Sequence, residues 1–428
     1  MLKIKNFRWL ICILLFVATS LSFLDRQVLS IVAPEITKEF QMSNTTYSKV
    51  TTAFIFSYAI MFFLGGRIID WIGTRLGMIL SVGFWSLASA VHGIVQNPLQ
   101  LGIARFFLGV GEGGCFPGAT KGATEWFPQK ERATAIGIAI GGSALGAVIA
   151  PPMTVWLFSW VGWHGAFFAT GILGAIWVLL WVIFFYQPKQ SPFITETELA
   201  YIDSGQTKEE KQSPNLQNKK SIVPLKILLR VKQVWGLAFI RLFVDWVFYF
   251  YMFWIPMYLS QERNVSLKRI GEELVWIPFL ALGISNIAGG WVSDRLIKSG
   301  VSVNKSRKSI MTIAAILTVF STLAAYAPNA EIAVAFMSLL MFAHGFWVTN
   351  YVTITSEMFD SNSVATVMGL CGTVGAIGGI LVNLIIGLVS DRFSFLPVWI
   401  ASGTMYPLAL LILFFIVGHI RRIELNYK

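Results

Sequence analysis

Twelve long apolar runs alternate with short polar segments along the chain. A helix needs about 20 predominantly apolar residues to cross the hydrocarbon core of a bilayer, and each run is close to that length. The runs predict helices at 9–33, 47–69, 76–96, 99–120, 133–159 and 164–186, then at 234–259, 270–293, 309–327, 330–355, 364–390 and 396–418. The predicted fold class is therefore an all-α membrane protein with 12 transmembrane helices.

A polar segment at 187–233 separates the first six predicted helices from the last six. It is rich in Lys, Glu and Pro, and such a composition cannot bury enough apolar surface to pack by itself. We therefore predict an N-terminal six-helix half at 1–186, a cytoplasmic linker at 187–233 and a C-terminal six-helix half at 234–428.

A short repeat indicates that the two halves are related. The segment Gly66-Arg-Ile-Ile-Asp70 recurs as Gly290-Trp-Val-Ser-Asp294, and each copy lies at the inner end of the second helix of its half. Repeats of this kind build transporter folds whose substrate site lies near the bilayer midplane between the repeats. The pattern predicts two pseudo-symmetric halves that work by alternating access.

Composition limits the class of function. Apolar residues make up 55% of the chain and charged residues 13%, with a mean hydropathy of +0.67, whereas soluble domains carry about 25% charged residues. This excludes a soluble protein and a large extramembrane enzyme domain. The three cysteines, Cys12, Cys115 and Cys371, lie in apolar runs without another Cys or a His at ligand spacing. We expect no enzyme, no metal and no cofactor other than coupling protons.

The charge distribution predicts the orientation of the helices. With the N-terminus inside, 24 of the 33 Lys and Arg residues lie in inner segments, 6 lie in outer loops and 3 lie within helices. Cytoplasmic loops carry such an excess, so both termini and the linker are predicted to be cytoplasmic. The net charge of +11 therefore requires no nucleic-acid partner. The expected partners are the lipid bilayer and a small organic anion, and we expect a monomer.

Four charged residues interrupt the apolar runs of the first half, namely Asp25, Arg26, Arg105 and Glu112. A charge inside a membrane helix costs about 2.5 to 3.5 kcal/mol, so such residues are candidates for function. Arg105 and Glu112 are seven residues apart and share one helix face. We expect Asp25 to pair with Arg105 and Arg26 to face the cavity, free for an anionic substrate, which leaves Glu112 without an evident cation. A carboxylate in such a setting can load and release a proton.

A fixed ion-pair network that locks the first helix to the fourth is the alternative interpretation of these four residues. In the second half, Arg241 and Asp245 are four residues apart and are expected to form a structural pair. The proposed substrate-facing residues there are His344, Trp347 and Asn350, which recur at i, i+3 and i+6. A satisfied core histidine remains the alternative for His344. Asn383 is intramembrane and polar, without an evident partner.

The run Gly109-Val-Gly-Glu-Gly-Gly114 contains the pattern G-x-G-x-x-G. In dinucleotide-binding proteins this pattern lies between a strand and a helix, but here it lies inside an apolar run of membrane length. We therefore interpret it as close helix packing, which glycines permit.

Several motifs resemble those of one transporter family. The repeated loop, whose first copy continues to Gly73-Thr-Arg75, looks like the signature loop of the major facilitator superfamily, with Gly66, Asp70, Arg75, Gly290 and Asp294 as its gating positions. The segment Leu24-Asp-Arg-Gln-Val-Leu-Ser30 resembles the first-helix motif of the anion:cation symporter family. Glu125-Trp-Phe-Pro128 and Phe342-Ala-His344 are similar to its bacterial hexuronate transporters.

This resemblance implies proton-coupled import of sugar acids, such as glucuronate or galacturonate, across a bacterial inner membrane. It also implies roles for individual positions in the first half. Asp25 and Glu112 would take part in proton coupling, Arg105 would interact with Asp25, Arg26 would bind the substrate carboxylate, and Tyr58 would line the cavity.

The sequence departs from the hexuronate pattern at two positions. Phe23 stands where relatives often have Tyr, and Phe62 stands where the hexuronate type often has Gln. Two polar contacts for sugar hydroxyls are thus missing, and a less hydroxylated, aromatic carboxylate is an alternative substrate. An exchanger or exporter of the same fold also remains open. A membrane sensor is a third hypothesis, and it would predict ligand binding without flux.

Overall fold

The computed structural model describes residues 3–204, 224–359 and 363–423, and these are almost entirely helical. The principal helices of the first part are α1 (Phe7–Glu39), α2 (Asn44–Ile72), α3 (Thr74–His92), α4 (Pro98–Glu112), α5 (Cys115–Trp126), α6 (Gln129–Phe184) and α7 (Glu196–Ser204). Those of the second part are α8 (Lys232–Gln261), α9 (Trp276–Lys298), α10 (Val303–Val319), α11 (Ala330–Met358), α12 (Val364–Arg392) and α13 (Leu396–Ile412). Short helical segments adjoin them at Pro188–Gln190, Leu225–Leu228, Leu267–Arg269, Ile270–Leu274, Phe320–Tyr326 and Leu413–Val417.

Ten helices among the described residues are long and apolar enough to cross a membrane. One of them, α6, would be more than twice the thickness of a bilayer if it were a single straight helix. Its backbone leaves the helical region at Gly162, where φ is 66° and ψ is −178°, a conformation that glycine adopts without a steric penalty. α6 therefore contributes two spans, and the consecutive helices α4 and α5 together contribute another. The predicted all-α fold with 12 transmembrane helices in two six-helix halves is confirmed.

The chain folds into two compact units. Unit 1 contains Met1–Val32 and Ala53–Lys219, and unit 2 contains Ala33–Thr52 and Lys220–Lys428. The sequence-based division at the linker follows chain order, whereas the unit boundaries assign the end of α1 and the start of α2 to unit 2.

Polar contacts hold the 33–52 segment within unit 2. The Asp391 carboxylate of α12 accepts hydrogen bonds from the backbone N–H groups of Asn44 and Thr45, both at 2.8 Å. It thereby satisfies two of the backbone donors that the first turn of α2 leaves without a partner. The Tyr47 hydroxyl donates to the carbonyl of Phe253 at 3.0 Å.

In unit 1, helices α2 and α4 approach each other closely at Gly109. A Cβ atom at this position would lie 2.6 Å from the carbonyl oxygen of Phe54 and 3.0 Å from the amide nitrogen of Tyr58. Only a residue without a side chain fits such a distance. The interpretation of the glycine run as close helix packing is confirmed, and the approach brings α4 against the part of α2 that carries Tyr58.

The start of the linker is tied to the N-terminus of α1. The Glu198 carboxylate accepts hydrogen bonds from the backbone N–H groups of Phe7 and Arg8 at 2.9 and 3.2 Å, and from Nη1 of Arg8 at 2.9 Å. Arg8 also contacts Glu131 of α6 at 3.0 Å, and Glu131 accepts a hydrogen bond from the Tyr201 hydroxyl at 3.0 Å. Helix α7 is therefore part of unit 1.

Candidate functional site

Four charged side chains are buried in unit 1, on α1 and α4. Their exposed fractions are 2% for Asp25, 6% for Arg26 and 0% for both Arg105 and Glu112. Taking a charge out of water costs several kcal/mol unless another charge and further hydrogen bonds compensate. The partners of these four residues therefore determine what the site can do.

Arg26 and Glu112 form a buried ion pair. The Nε atom of Arg26 lies 2.5 Å from Oε2 of Glu112, and the Ser22 hydroxyl donates to the same oxygen at 3.0 Å. The expectation that Arg26 is free and that Glu112 lacks a cation was wrong. Ser22 and Arg26 are four residues apart, so α1 presents both of them on one face, and α4 presents Glu112 to that face.

Aromatic rings surround the Arg26 guanidinium. Its central carbon lies 4.2 Å from the ring centroid of Tyr58, 4.9 Å from that of Phe23 and 5.4 Å from that of Phe54. A guanidinium over a ring face gains cation–π attraction, which is stronger where water is excluded. Phe62 packs next to Tyr58, with 5.8 Å between the ring centroids. Tyr58 thus lies beside the predicted substrate-binding arginine.

Asp25 has hydroxyl partners. The Ser89 hydroxyl of α3 donates to Oδ1 of Asp25 at 2.8 Å, and the Ser89 and Thr170 hydroxyl oxygens are 2.8 Å apart. Arg105 interacts electrostatically with Asp25, and its guanidinium carbon lies 5.8 Å from the ring centroid of Phe167. Ser89 and Thr170 were missed from the sequence because a serine or threonine in an apolar helix usually bonds only to its own backbone.

In unit 2, His344 belongs to an aromatic cluster. Its Nδ1 atom forms a short hydrogen bond with the Tyr406 hydroxyl, and the Phe248 ring stacks on the imidazole at 5.4 Å. The Trp347 ring packs edge-on against Tyr406, with 5.4 Å between centroids. Tyr406 was missed because it lies 62 residues further along the chain, with no sequence signal that relates it to His344.

Asn350 belongs to a different polar network. Its Oδ1 atom accepts a hydrogen bond from Arg307 at 3.3 Å, and Arg307 also donates to Ser293 at 2.7 Å. The same guanidinium forms ion pairs with Glu357 at 3.0 Å and with Asp294 of the repeated loop at 3.5 Å. The structure therefore brings His344 and Trp347 together, whereas Arg307 links Asn350 to Asp294, a predicted gating position.

Three further polar residues of unit 2 have clear partners. Arg241 and Asp245 form the predicted pair, with 2.8 Å between Nη2 and Oδ2. The expectation that Asn383 lacks a partner was wrong. Its Oδ1 atom accepts a hydrogen bond from the Trp254 indole at 2.6 Å, and its Nδ2 atom donates to the hydroxyl of Thr51 at 2.5 Å and to the carbonyl of Ser48 at 2.8 Å.

The first copy of the repeated loop ends α2 and begins α3. Asp70 accepts a hydrogen bond from Nζ of Lys121 at 2.8 Å. Arg75 donates to the carbonyl of Val182 at 2.8 Å, and its guanidinium lies 4.0 Å from the Tyr186 ring centroid. The glycines of the two copies, Gly66 and Gly290, lie within α2 and α9.

Known proteins resemble this chain over about three quarters or more of its length. The Hexuronate transporter of Escherichia coli (strain K12) is 29% identical over 99% of this chain and 97% of its own length. The Galacturonate transporter of Dickeya chrysanthemi is 32% identical over 74% of this chain and 91% of its own. A probable galactarate/D-glucarate transporter of Bacillus subtilis (strain 168) is 29% identical over 99% of this chain and 95% of its own.

The fold also matches a solved structure. A bacterial homolog of the human lysosomal transporter Spinster, in an inward-facing and occupied conformation, aligns with a TM-score of 0.73. Its sequence is 20% identical, and the alignment covers 97% of this chain and 96% of the other. The sequence model of the Major Facilitator Superfamily matches residues 15–383. Repeated loop, helix count and family match agree, and the chain belongs to the Major Facilitator Superfamily, as a multi-pass membrane transporter and not an enzyme.

Proposed function

We propose that this protein imports an organic anion, most simply a hexuronate or related sugar acid, together with protons and by alternating access. The names of its relatives support the substrate class, since they are transporters of hexuronate, galacturonate and galactarate or D-glucarate. We place it in a bacterial inner membrane as a monomer, with both termini and the 187–233 linker in the cytoplasm. The observation that carries the proposal is the buried contact between Arg26 and Glu112.

The Arg26–Glu112 contact provides a way to exchange a proton for a substrate. Arg26 is the cation that can receive the substrate carboxylate. In the structure its guanidinium is paired with Oε2 of Glu112. Protonation of Glu112 removes its negative charge, so the guanidinium becomes available to a second carboxylate. The other oxygen, Oε1, is buried without a hydrogen-bond partner among the described residues, and a proton can reside there. Substrate binding and proton loading then favour each other.

Asp25 supplies the second proton site of the proposal, with Arg105 as its electrostatic partner. Moving one negative charge inward against about 100 mV costs about 2.3 kcal/mol. One proton neutralises that cost, and a second proton makes inward transport favourable. Two buried carboxylates therefore match the requirement for net uptake of a monoanion.

The remaining proposed binding residues differ in their surroundings. Tyr58 contacts Arg26 directly, while His344 and Trp347 lie in the aromatic cluster of unit 2. Asn350 is proposed to bind substrate, and Arg307 links it to the loop residue Asp294. The repeated-loop positions Gly66, Asp70, Arg75, Gly290 and Asp294 are assigned to gating.

One observation favours a second substrate class. Phe23 packs against the Arg26 guanidinium, and Phe62 packs against Tyr58, the aromatic neighbour of that guanidinium. A polyhydroxylated ring needs hydrogen-bond partners for its hydroxyl groups, because unpaired polar groups in a dry site are costly. A less hydroxylated or aromatic carboxylate is therefore the alternative substrate.

Uptake into proteoliposomes tests the proposal. The wild type, reconstituted with an imposed inward proton gradient, is expected to accumulate radiolabelled glucuronate. Asp25→Asn, Glu112→Gln and Arg26→Ala are each expected to abolish accumulation, whereas Glu273→Gln, which changes an exposed carboxylate, is the matched control. If a folded wild type takes up benzoate-type anions but no glucuronate, the substrate is a less hydroxylated or aromatic carboxylate and not a sugar acid. Uptake that ignores the proton gradient would reject proton coupling in favour of exchange.

A further inference from the structure

A chain of hydroxyl groups connects Asp25 to a backbone carbonyl. Ser89 of α3 bonds to Asp25 at 2.8 Å, and Thr170 of α6 lies 2.8 Å from Ser89. The Thr170 side chain also interacts with Asp25 directly. The Thr170 hydroxyl can also donate to the carbonyl of Phe167 at 3.1 Å. The three side chains are at most 2% exposed. The hydrogen-bond chain therefore begins at the Asp25 carboxyl group, which can gain or lose a proton. It ends at the carbonyl of Phe167, which can only accept a hydrogen bond.

Each hydroxyl donates one hydrogen bond and can accept others, so the direction of the chain is not fixed. When Asp25 is ionised, Thr170 donates to Ser89 and Ser89 donates to the carboxylate. When Asp25 is protonated, its own O–H donates to Ser89, Ser89 donates to Thr170, and Thr170 donates to the carbonyl of Phe167. Every donor has an acceptor in both states, and only two hydroxyl rotations separate them.

We propose that Ser89 and Thr170 are positioning residues that let Asp25 change its protonation state in a dry site, through a hydrogen-bond chain that reverses direction. The incoming proton stays on the Asp25 carboxyl group, and the hydroxyls only turn. This inference rests on the proposed function, in which Asp25 is a proton-coupling site. It adds that two uncharged residues shift the pH at which transport responds.

Other charged and titratable groups also face Asp25. Helix α4 contributes Arg105 and Glu112, which act on Asp25 electrostatically, and Arg26 is the next residue of α1. From α3, His92 lies one turn beyond Ser89, with Nδ1 2.7 Å from the carbonyl of Ala88 and its ring stacked on Phe167. Substitutions at Ser89 and Thr170 leave these groups in place, so a change in pH response can be assigned to the hydroxyl chain.

The test measures the initial rate of substrate uptake against external pH. A hydrogen bond to an ionised carboxylate is about twice as strong as one to its neutral form, so Ser89→Ala removes more from the ionised state. Its midpoint is expected to move to higher pH by about one unit. Thr170→Val is expected to move it in the same direction, because Thr170 also interacts with Asp25. Thr170→Ser, which keeps the hydroxyl, is expected to match the wild type.

Ser86→Ala is the matched control, because Ser86 is a buried serine of α3 whose hydroxyl donates to the carbonyl of Val82 in its own helix. Its midpoint is expected to equal that of the wild type. Midpoints for Ser89→Ala and Thr170→Val that equal the Ser86→Ala value, with a pH-dependent wild type, would overturn the hydroxyl chain alone. A wild-type rate that does not depend on pH would overturn the proposed function itself. The Thr170→Val and Thr170→Ser pair decides the question if Ser89→Ala does not fold.

Discussion

The Nε atom of Arg26 lies 2.5 Å from the Oε2 atom of Glu112, so the cation best placed to receive an anionic substrate is occupied by a carboxylate of the protein. In the proposed mechanism a substrate carboxylate competes with Glu112 for this guanidinium. We propose that protons decide the competition, because a protonated Glu112 no longer holds Arg26 by charge.

Glu112→Gln is predicted to separate exchange from accumulation. The amide is permanently neutral, so Arg26 stays available to substrate and counterflow between equal pH values is expected to persist. Accumulation driven by a proton gradient is expected to fall at least tenfold, since one proton site is lost. Both rates are measured in the same proteoliposomes with labelled substrate. Loss of counterflow together with accumulation would show that Glu112 is needed for binding or folding instead.

Arg26→Ala is predicted to destabilise the protein as well as to stop transport. Removal of one partner from a buried ion pair costs about 3 to 5 kcal/mol, because the other charge remains buried without compensation. The double variant Arg26→Ala, Glu112→Gln removes that charge and is expected to have a higher Tm than Arg26→Ala in detergent. Neither variant is expected to transport. Equal Tm values for the single and double variants would contradict an ion pair of this kind.

Gly109→Ala is predicted to lower the Tm by forcing α2 and α4 apart. Overpacking of a tight contact costs about 1 to 3 kcal/mol, which exceeds the gain in helix propensity of about 1 kcal/mol. Gly137→Ala is the control, because a Cβ atom at Gly137 of α6 would have nothing within 4 Å. Its Tm is expected to stay the same or rise. If the Tm of Gly109→Ala equals that of Gly137→Ala, the close approach of α2 and α4 at Gly109 does not limit packing.

Phe23→Tyr combined with Phe62→Gln is predicted to shift selectivity toward hydroxylated substrates. Both changes add polar groups beside Arg26 and Tyr58, where sugar hydroxyls need partners. Competition of unlabelled glucuronate and benzoate against labelled substrate gives the ratio of affinities, which is expected to move by about tenfold toward glucuronate. An unchanged ratio would place the specificity of the site elsewhere.

Single residues explain why part of the site could be predicted and part could not. Charges in apolar runs are rare, so Asp25, Arg26 and Glu112 stood out in the sequence. The partner of each charge depends on how neighbouring helices are rotated, and spacing along one helix cannot give that rotation. The pairing of Arg26 with Glu112 was therefore missed. The pair Arg241 and Asp245 was predicted correctly because both residues lie on one helix.

The ends of the helices also show what the sequence predicts and what it does not. Hydropathy predicted separate spans on either side of Gly162, and the backbone of α6 leaves the helical region at this residue. A glycine between two apolar stretches is a common sequence feature, and only the backbone angles reveal that the chain turns there. Asn383 illustrates the other limit, because its partners Trp254 and Thr51 come from distant parts of the sequence.

The contact of Glu198 with the start of α1 determines where this transporter can be divided into two polypeptides. A break after Ser204 leaves Glu198 on the same fragment as the Phe7 and Arg8 amides that it caps. A break before Glu196 would move that carboxylate to the other fragment and leave the helix start without its cap. A chain expressed as two fragments should therefore be divided between 205 and 223, because the first fragment then keeps the carboxylate that caps its own first helix.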